Sequence, residues 1–128
     1  FKKIITEFTP RYVNVLKEFQ FNIDEIRIEG HTSTENRCSK EELGKYLCNL
    51  KLSQDRAREV ASYSLKQLTK SNEVWLRKFL TSNGLSSSKL VLASNGSEDR
   101  GRSRRVEFKV RTSVGQTFDA LRNLVDEN

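Results

Sequence analysis

Methionine is absent, proline and histidine occur once each (Pro10 and His31), and the 128 residues include only two cysteines and six glycines. Each scarcity excludes something. A hydrolytic triad needs an imidazole beside a nucleophile, and the only imidazole ends a strand-like stretch without a matching acid, base and nucleophile set, so no enzyme is expected. Zinc would have to use His31, Cys38 and Cys48, which supply three groups and no closely spaced ligand pair, so no metal site is expected. Gly96 and Gly101 lie in a Ser- and Arg-rich loop rather than between a strand and a helix, which leaves no phosphate-binding loop. No uninterrupted apolar run approaches the roughly 20 residues of a membrane-spanning helix. No charged-then-apolar leader stands at the start, so the chain reads as a piece of a longer protein.

The length suits one domain with a single core. Apolar residues make up 35% and charged residues 31%; the apolar ones recur with helical and strand periods, which argues for a folded chain. Lys plus Arg outnumber Asp plus Glu by 23 to 17, a net +6. The excess is local: Arg100, Arg102, Arg104, Arg105, Lys109 and Arg111 fall within twelve residues, opposed by Glu107. That segment lacks the interleaved aromatics of a base-stacking surface, so nucleic acid is not the expected partner.

Phe1, Ile4, Ile5, Phe8, Tyr12, Val15, Leu16 and Phe19 keep i, i+3, i+4 spacing, which predicts an amphipathic helix that Pro10 either kinks or opens. Alternation around Ile26 and Ile28 predicts a strand over 24–31. A polar loop over 32–39 follows, then a short helix from Ser39 to about Cys48 and a second helix capped by Ser53. Ser71 is the expected cap of another helix containing Trp75, Phe79 and Leu80 and stopped by Asn83-Gly84. Residues 89–93 read as a strand, and so do residues from Arg104 onward, with Val106, Phe108 and Val110 on one face. By the same parity Arg104 falls on the core face, where it would act as a brace, while Arg105 faces outward. A closing helix over 114–128 carries Val114, Phe118, Leu121 and Val125. Cys38 and Cys48 read either as a disulfide joining the loop to the short helix or as two free thiols.

Three segments occur in a telling order: IRIEGHTS (Ile26 to Ser33), NLKLSQDRA (Asn49 to Ala57) and SRRVEF (Ser103 to Phe108). Together they resemble the OmpA-like peptidoglycan-binding domain, the family that includes the periplasmic part of MotB-type stator proteins. The likeness is strongest over residues 10–111. It implies an α/β fold, a two-layer sandwich with a mixed sheet packed against helices. It also implies noncovalent binding of peptidoglycan through the diaminopimelate stem peptide, without a cofactor or a catalytic step, in the periplasm. The parent would be anchored in the inner or outer membrane, and stator-like relatives imply a homodimer.

By the resemblance, Arg56 holds the ligand carboxylate at a helix opening, with Thr32, Ser33, Asn49, Ser103 and Arg105 completing the ligand surface. His31 and Arg104 would support the site. The family's usual aspartate, the ammonium partner, is Ser33 here, and a hydroxyl cannot neutralise an ammonium. An alternative role is therefore a protein-interaction or dimerisation module with weakened or altered wall binding. A periplasmic setting favours the Cys38–Cys48 bond.

Overall fold

The computed structural model describes residues 2–113, so Phe1 and the helix expected over 114–128 lie outside the described residues. The elements run α1 (Lys2–Lys17), a 3-10 turn (Gln20–Asn22), β1 (Ile23–His31), α2 (Glu42–Lys66), α3 (Lys70–Arg77), β2 (Leu80–Gly84), α4 (Arg100–Ser103) and β3 (Arg105–Thr112). The strands form one sheet in the order β2-β1-β3. Ile26 N donates to Phe79 O at 3.0 Å and Leu85 N to Gly30 O at 3.0 Å, so both chains advance together and β1 and β2 are parallel. A parallel pair needs a long crossover, which α2 and α3 supply. Ser113 N meets Asn22 O at 3.1 Å and Arg111 faces Glu25 at 4.0 Å, the descending register of an antiparallel β1 and β3. The sheet is mixed, with helices packed against it.

Contacts group the described residues into two compact units, one of residues 2–27, 63–81 and 109–113, the other of residues 28–62 and 82–108. In the first, Val13 and Leu16 of α1, Ile23 and Ile26 of β1, and Trp75 and Leu76 of α3 form the core. Trp75 buries its rings there and satisfies its indole N–H on Gln20 Oε1 at 3.2 Å. The helix runs unbroken through Pro10, which deprives the Thr6 carbonyl of its i+4 donor without ending the element. Its buried stripe is Ile5, Thr9, Val13 and Leu16; Ile4 and Val15, expected inside, are exposed, because they lie one position off that stripe.

Thr69, not Ser71, caps α3, accepting from Asn72 N at 3.3 Å. The expected continuation of that helix through Leu80 does not occur. Lys78 and Phe79 close the last turn with bonds to Trp75 and Leu76 carbonyls, and the chain then extends into β2. Asn83-Gly84 therefore ends a strand. Leu80 packs against the same core from the sheet side.

In the second unit the two expected helices are one, because α2 runs without a break from Glu42 to Lys66. Ser53 lies in its interior, where the hydroxyl donates back to Leu50 O at 2.8 Å and accepts from Ser86 N at 3.0 Å. A residue suited to a cap thus ties the helix to a neighbouring loop instead. Gly30 and Gly84 both lie against this point: a Cβ on Gly30 would overlap the Ser53 carbonyl, and one on Gly84 would overlap Gln54 and the Ser53 hydroxyl. Ala57, Val60 and Ala61 continue the buried face of α2. The strand expected over 89–93 reduces to a single bridge between Leu92 and Glu98, turned by Gly96 at φ 85°.

Candidate functional site

The second unit holds all of the three recognisable segments except Ile26 and Arg27. Past the end of β1, Thr32 N donates to Ser86 O at 2.9 Å, and Ser33 O accepts from Asn49 Nδ2 at 3.1 Å. Asn49 Oδ1 accepts in turn from Asn36 Nδ2 at 3.0 Å, so this fully buried amide clamps the loop at Ser33 and at Asn36. Thr34 donates its N–H and hydroxyl to Glu98 at 2.9 and 2.6 Å. These two bonds hold the Glu98 carboxyl below its ordinary pKa. The Cys38–Cys48 disulfide, with its Cα atoms 6.6 Å apart, fastens the far end of the loop to α2.

Asn49 serves the loop, and Ser33 is buried with it. Ser86 was invisible in the sequence, yet it is fully buried at φ 53° and its hydroxyl donates to Tyr46 O at 2.8 Å. A non-glycine residue holds this left-handed conformation only where its surroundings fix it. Here three hydrogen bonds to Thr32, Ser53 and Tyr46 do so.

Arg56 lies three residues beyond Ser53 in α2, one helical turn from the contact with Gly30. The expectation of a helix opening fails here: with α2 starting at Glu42, Arg56 is deep in the interior, beyond reach of free N-terminal amides. Its positive charge must therefore come from the guanidinium alone. Asp55, the adjacent carboxylate, is taken by Lys51 at 2.7 Å, and that bond lowers its pKa. Among the described residues Arg56, half-buried, makes no ion pair.

Arg104, just before β3, and Arg105, its first residue, exchange their expected roles. Arg104 caps the C-terminus of α4 before the strand begins, so strand parity does not apply to it, and it stands exposed 3.8 Å from Glu35. Arg105 is the internal brace. Its Nε donates to Glu107 Oε1 at 2.5 Å and its NH1 to the carbonyls of Lys89 and Ser103 at 3.0 and 3.2 Å. Ser103 is fully buried, and its hydroxyl both accepts from Val91 N at 2.9 Å and donates to Val91 O at 3.3 Å. The Ser103 hydroxyl is thus spent on Val91, whereas the NH2 donors of Arg105 take no part in these bonds.

On the sheet face opposite Ile28, His31 lies buried with Nε2 3.4 Å from Glu29 Oε1 and 3.9 Å from Glu107 Oε2. Burial and Arg105 push the imidazole below its ordinary pKa, against the opposing pull of Glu107 and Glu29. Glu29, His31 and Glu107 are also the group among the described residues with ligand atoms close enough to share a metal ion.

The OmpA family profile matches residues 3–109. The chain belongs to the OmpA family. OmpA-like domains are non-enzymatic modules that bind peptidoglycan, and the three segments of this OmpA domain converge on the loop after β1. The Zorya protein ZorB of Escherichia coli is 41% identical over 116 residues, covering 89% of this chain and 49% of that protein. The chain thus spans about half the length of this curated relative. The periplasmic domain of Helicobacter pylori MotB superposes with a TM-score of 0.54 at 16% identity, over 95% of this chain and 71% of that one. The peptidoglycan-associated lipoprotein from Burkholderia pseudomallei gives 0.52 at 17% identity, over 87% and 77%. At these identities the likeness is one of fold.

Proposed function

We propose that this OmpA domain anchors a membrane-attached, stator-like protein to peptidoglycan from the periplasm, with Arg56 binding a carboxylate of the stem peptide. The observation that carries the reading is the half-buried Arg56 guanidinium, which has no ion-pair partner among the described residues while Asp55 beside it is already claimed. A guanidinium offers a carboxylate two parallel donors, and such charge-assisted bonds are the strong ones. Membership of the OmpA family and the relationship to ZorB support the assignment. The disulfide suits an oxidising compartment.

The diaminopimelate terminus is a zwitterion, and its ammonium finds little here. Ser33 supplies no charge, Glu35 faces Arg100 and Arg104 at 3.9 and 3.8 Å, and Asp55 pairs with Lys51. Recognition therefore leans on the carboxylate. Retention on purified sacculi tests the proposal: Arg56→Ala is expected to lose most of the retention of the unsubstituted protein. Equal retention of both would remove Arg56 from the site and turn attention to an interaction or dimerisation module.

A further inference from the structure

We propose that Glu29, His31 and Glu107 form a binding site for a divalent transition-metal ion, zinc by the chemistry of the ligands. This site is independent of the wall-binding reading. Alternation along β1 sends Glu29 and His31 to the face opposite Ile28 and Gly30, and the antiparallel neighbour β3 brings Glu107 beside them. One ligand atom from each residue lies within 4.8 Å of the other two.

His31 supplies the observation that an acidic pair alone would not. Its side chain is 1% exposed and neither ring nitrogen makes a hydrogen bond. Buried polar atoms are nearly always satisfied, and an imidazole nitrogen aimed at two carboxylates is satisfied by a shared cation. A tetrahedral zinc with bonds of about 2.0–2.1 Å separates its ligands by about 3.3–3.4 Å. The Nε2 to Glu29 Oε1 distance is 3.4 Å, and the 3.9 Å to Glu107 Oε2 closes by a small rotation of a side chain that is one-third exposed.

Arg105 prepares the third ligand. By engaging Glu107 Oε1 it leaves Oε2 turned toward the imidazole, the orienting task of an outer-shell partner. One nitrogen with two carboxylate oxygens favours zinc over the oxygen-only sets of calcium and magnesium or the sulfur ligands of copper(I). The partly exposed side of Glu107 leaves room for water as the fourth ligand. An ion held there would join β1 to β3 next to the Thr32 to Thr34 loop.

The test uses the tag-free full chain, stripped with chelator and titrated with zinc chloride by calorimetry and thermal unfolding. One-to-one binding is expected, and free zinc at about a hundredfold over Kd should raise the folded-to-unfolded ratio about a hundredfold. Glu107→Gln, on a side chain one-third exposed, should keep the fold by circular dichroism and weaken zinc about tenfold or more. Cobalt substitution reads the geometry in the unsubstituted protein: intense visible bands of a tetrahedral ion are expected. No binding by the unsubstituted chain, equal binding by Glu107→Gln, or only the weak spectrum of octahedral cobalt would each overturn the proposal.

Discussion

Gly30 rests directly on the carbonyl of Ser53, so closely that no side chain fits between the end of β1 and the middle of α2. The contact sets the height of the helix over the strand and hence the position of Arg56 one turn further on. Gly30→Ala would force backbone apart, and overpacking of this kind costs roughly 1–3 kcal/mol. Urea denaturation should show the loss, accompanied by reduced sacculus retention, whereas Gly101→Ala, whose Cβ would meet only Asp99 at 3.7 Å, should leave both nearly unchanged.

Ser86 separates conformational cost from hydrogen bonding. Ser86→Ala keeps an unfavourable φ of 53° and removes the donor to Tyr46 O, for an expected loss of about 1 kcal/mol. Ser86→Gly also loses the donor but relieves the left-handed penalty, which is about 1–2 kcal/mol. Glycine should therefore unfold at higher denaturant than alanine, and the reverse order would show that relief of the left-handed backbone is not what separates the two variants.

Reducing the Cys38–Cys48 bond opens a loop with a sequence separation of 10. Chain entropy assigns such a crosslink about 2–3 kcal/mol. Addition of dithiothreitol should lower the unfolding temperature, and the paired Cys38→Ala, Cys48→Ala variant should match the reduced protein.

The pH response of the loop follows from Glu98, whose carboxyl is held below its ordinary 4.5 by Thr34. The folded state therefore binds its proton more weakly than the unfolded state. The stabilisation is complete above the ordinary value and is lost as pH falls below it. Hydrogen exchange at the Thr34 amide should accelerate relative to its intrinsic rate below that value, and Glu98→Gln should remove this acid-dependent step.

Ser33→Asp adds the charge that the ammonium of diaminopimelate lacks here. Calorimetry with a diaminopimelate-containing stem peptide should show tighter binding than for the unsubstituted chain. The gain should shrink with a ligand whose ammonium is blocked.

The residues that sequence read correctly are those whose role follows from local pattern. Ile26 and Ile28 alternate with charged neighbours and lie in β1, and the segments around Gly30 and Arg56 carry the OmpA family likeness. The errors arose where two local rules competed. Ser53 has the chemistry of a cap, yet the burial of Ala57, Val60 and Ala61 carries one helix straight through it. Leu80 fits the helical spacing of Trp75 and Leu76, but pairing beside β1 claims it for the sheet. Arg104 and Arg105 differ by a single position in where the strand begins, and that shift exchanges brace and surface. Ser86 and Glu98 had no local signal, because their meaning lies wholly in Thr32, Thr34 and Ser53, residues distant in the chain.

Under the proposed wall-anchoring role, the sulfur bridge has a mechanical consequence. Tension applied to the segment around Cys38 passes into α2 through a covalent link, bypassing the Asn36–Asn49 hydrogen bond beside it. The oxidised protein should bear a sideways load on that segment until the helix itself gives way, while the reduced protein should peel open from the loop first.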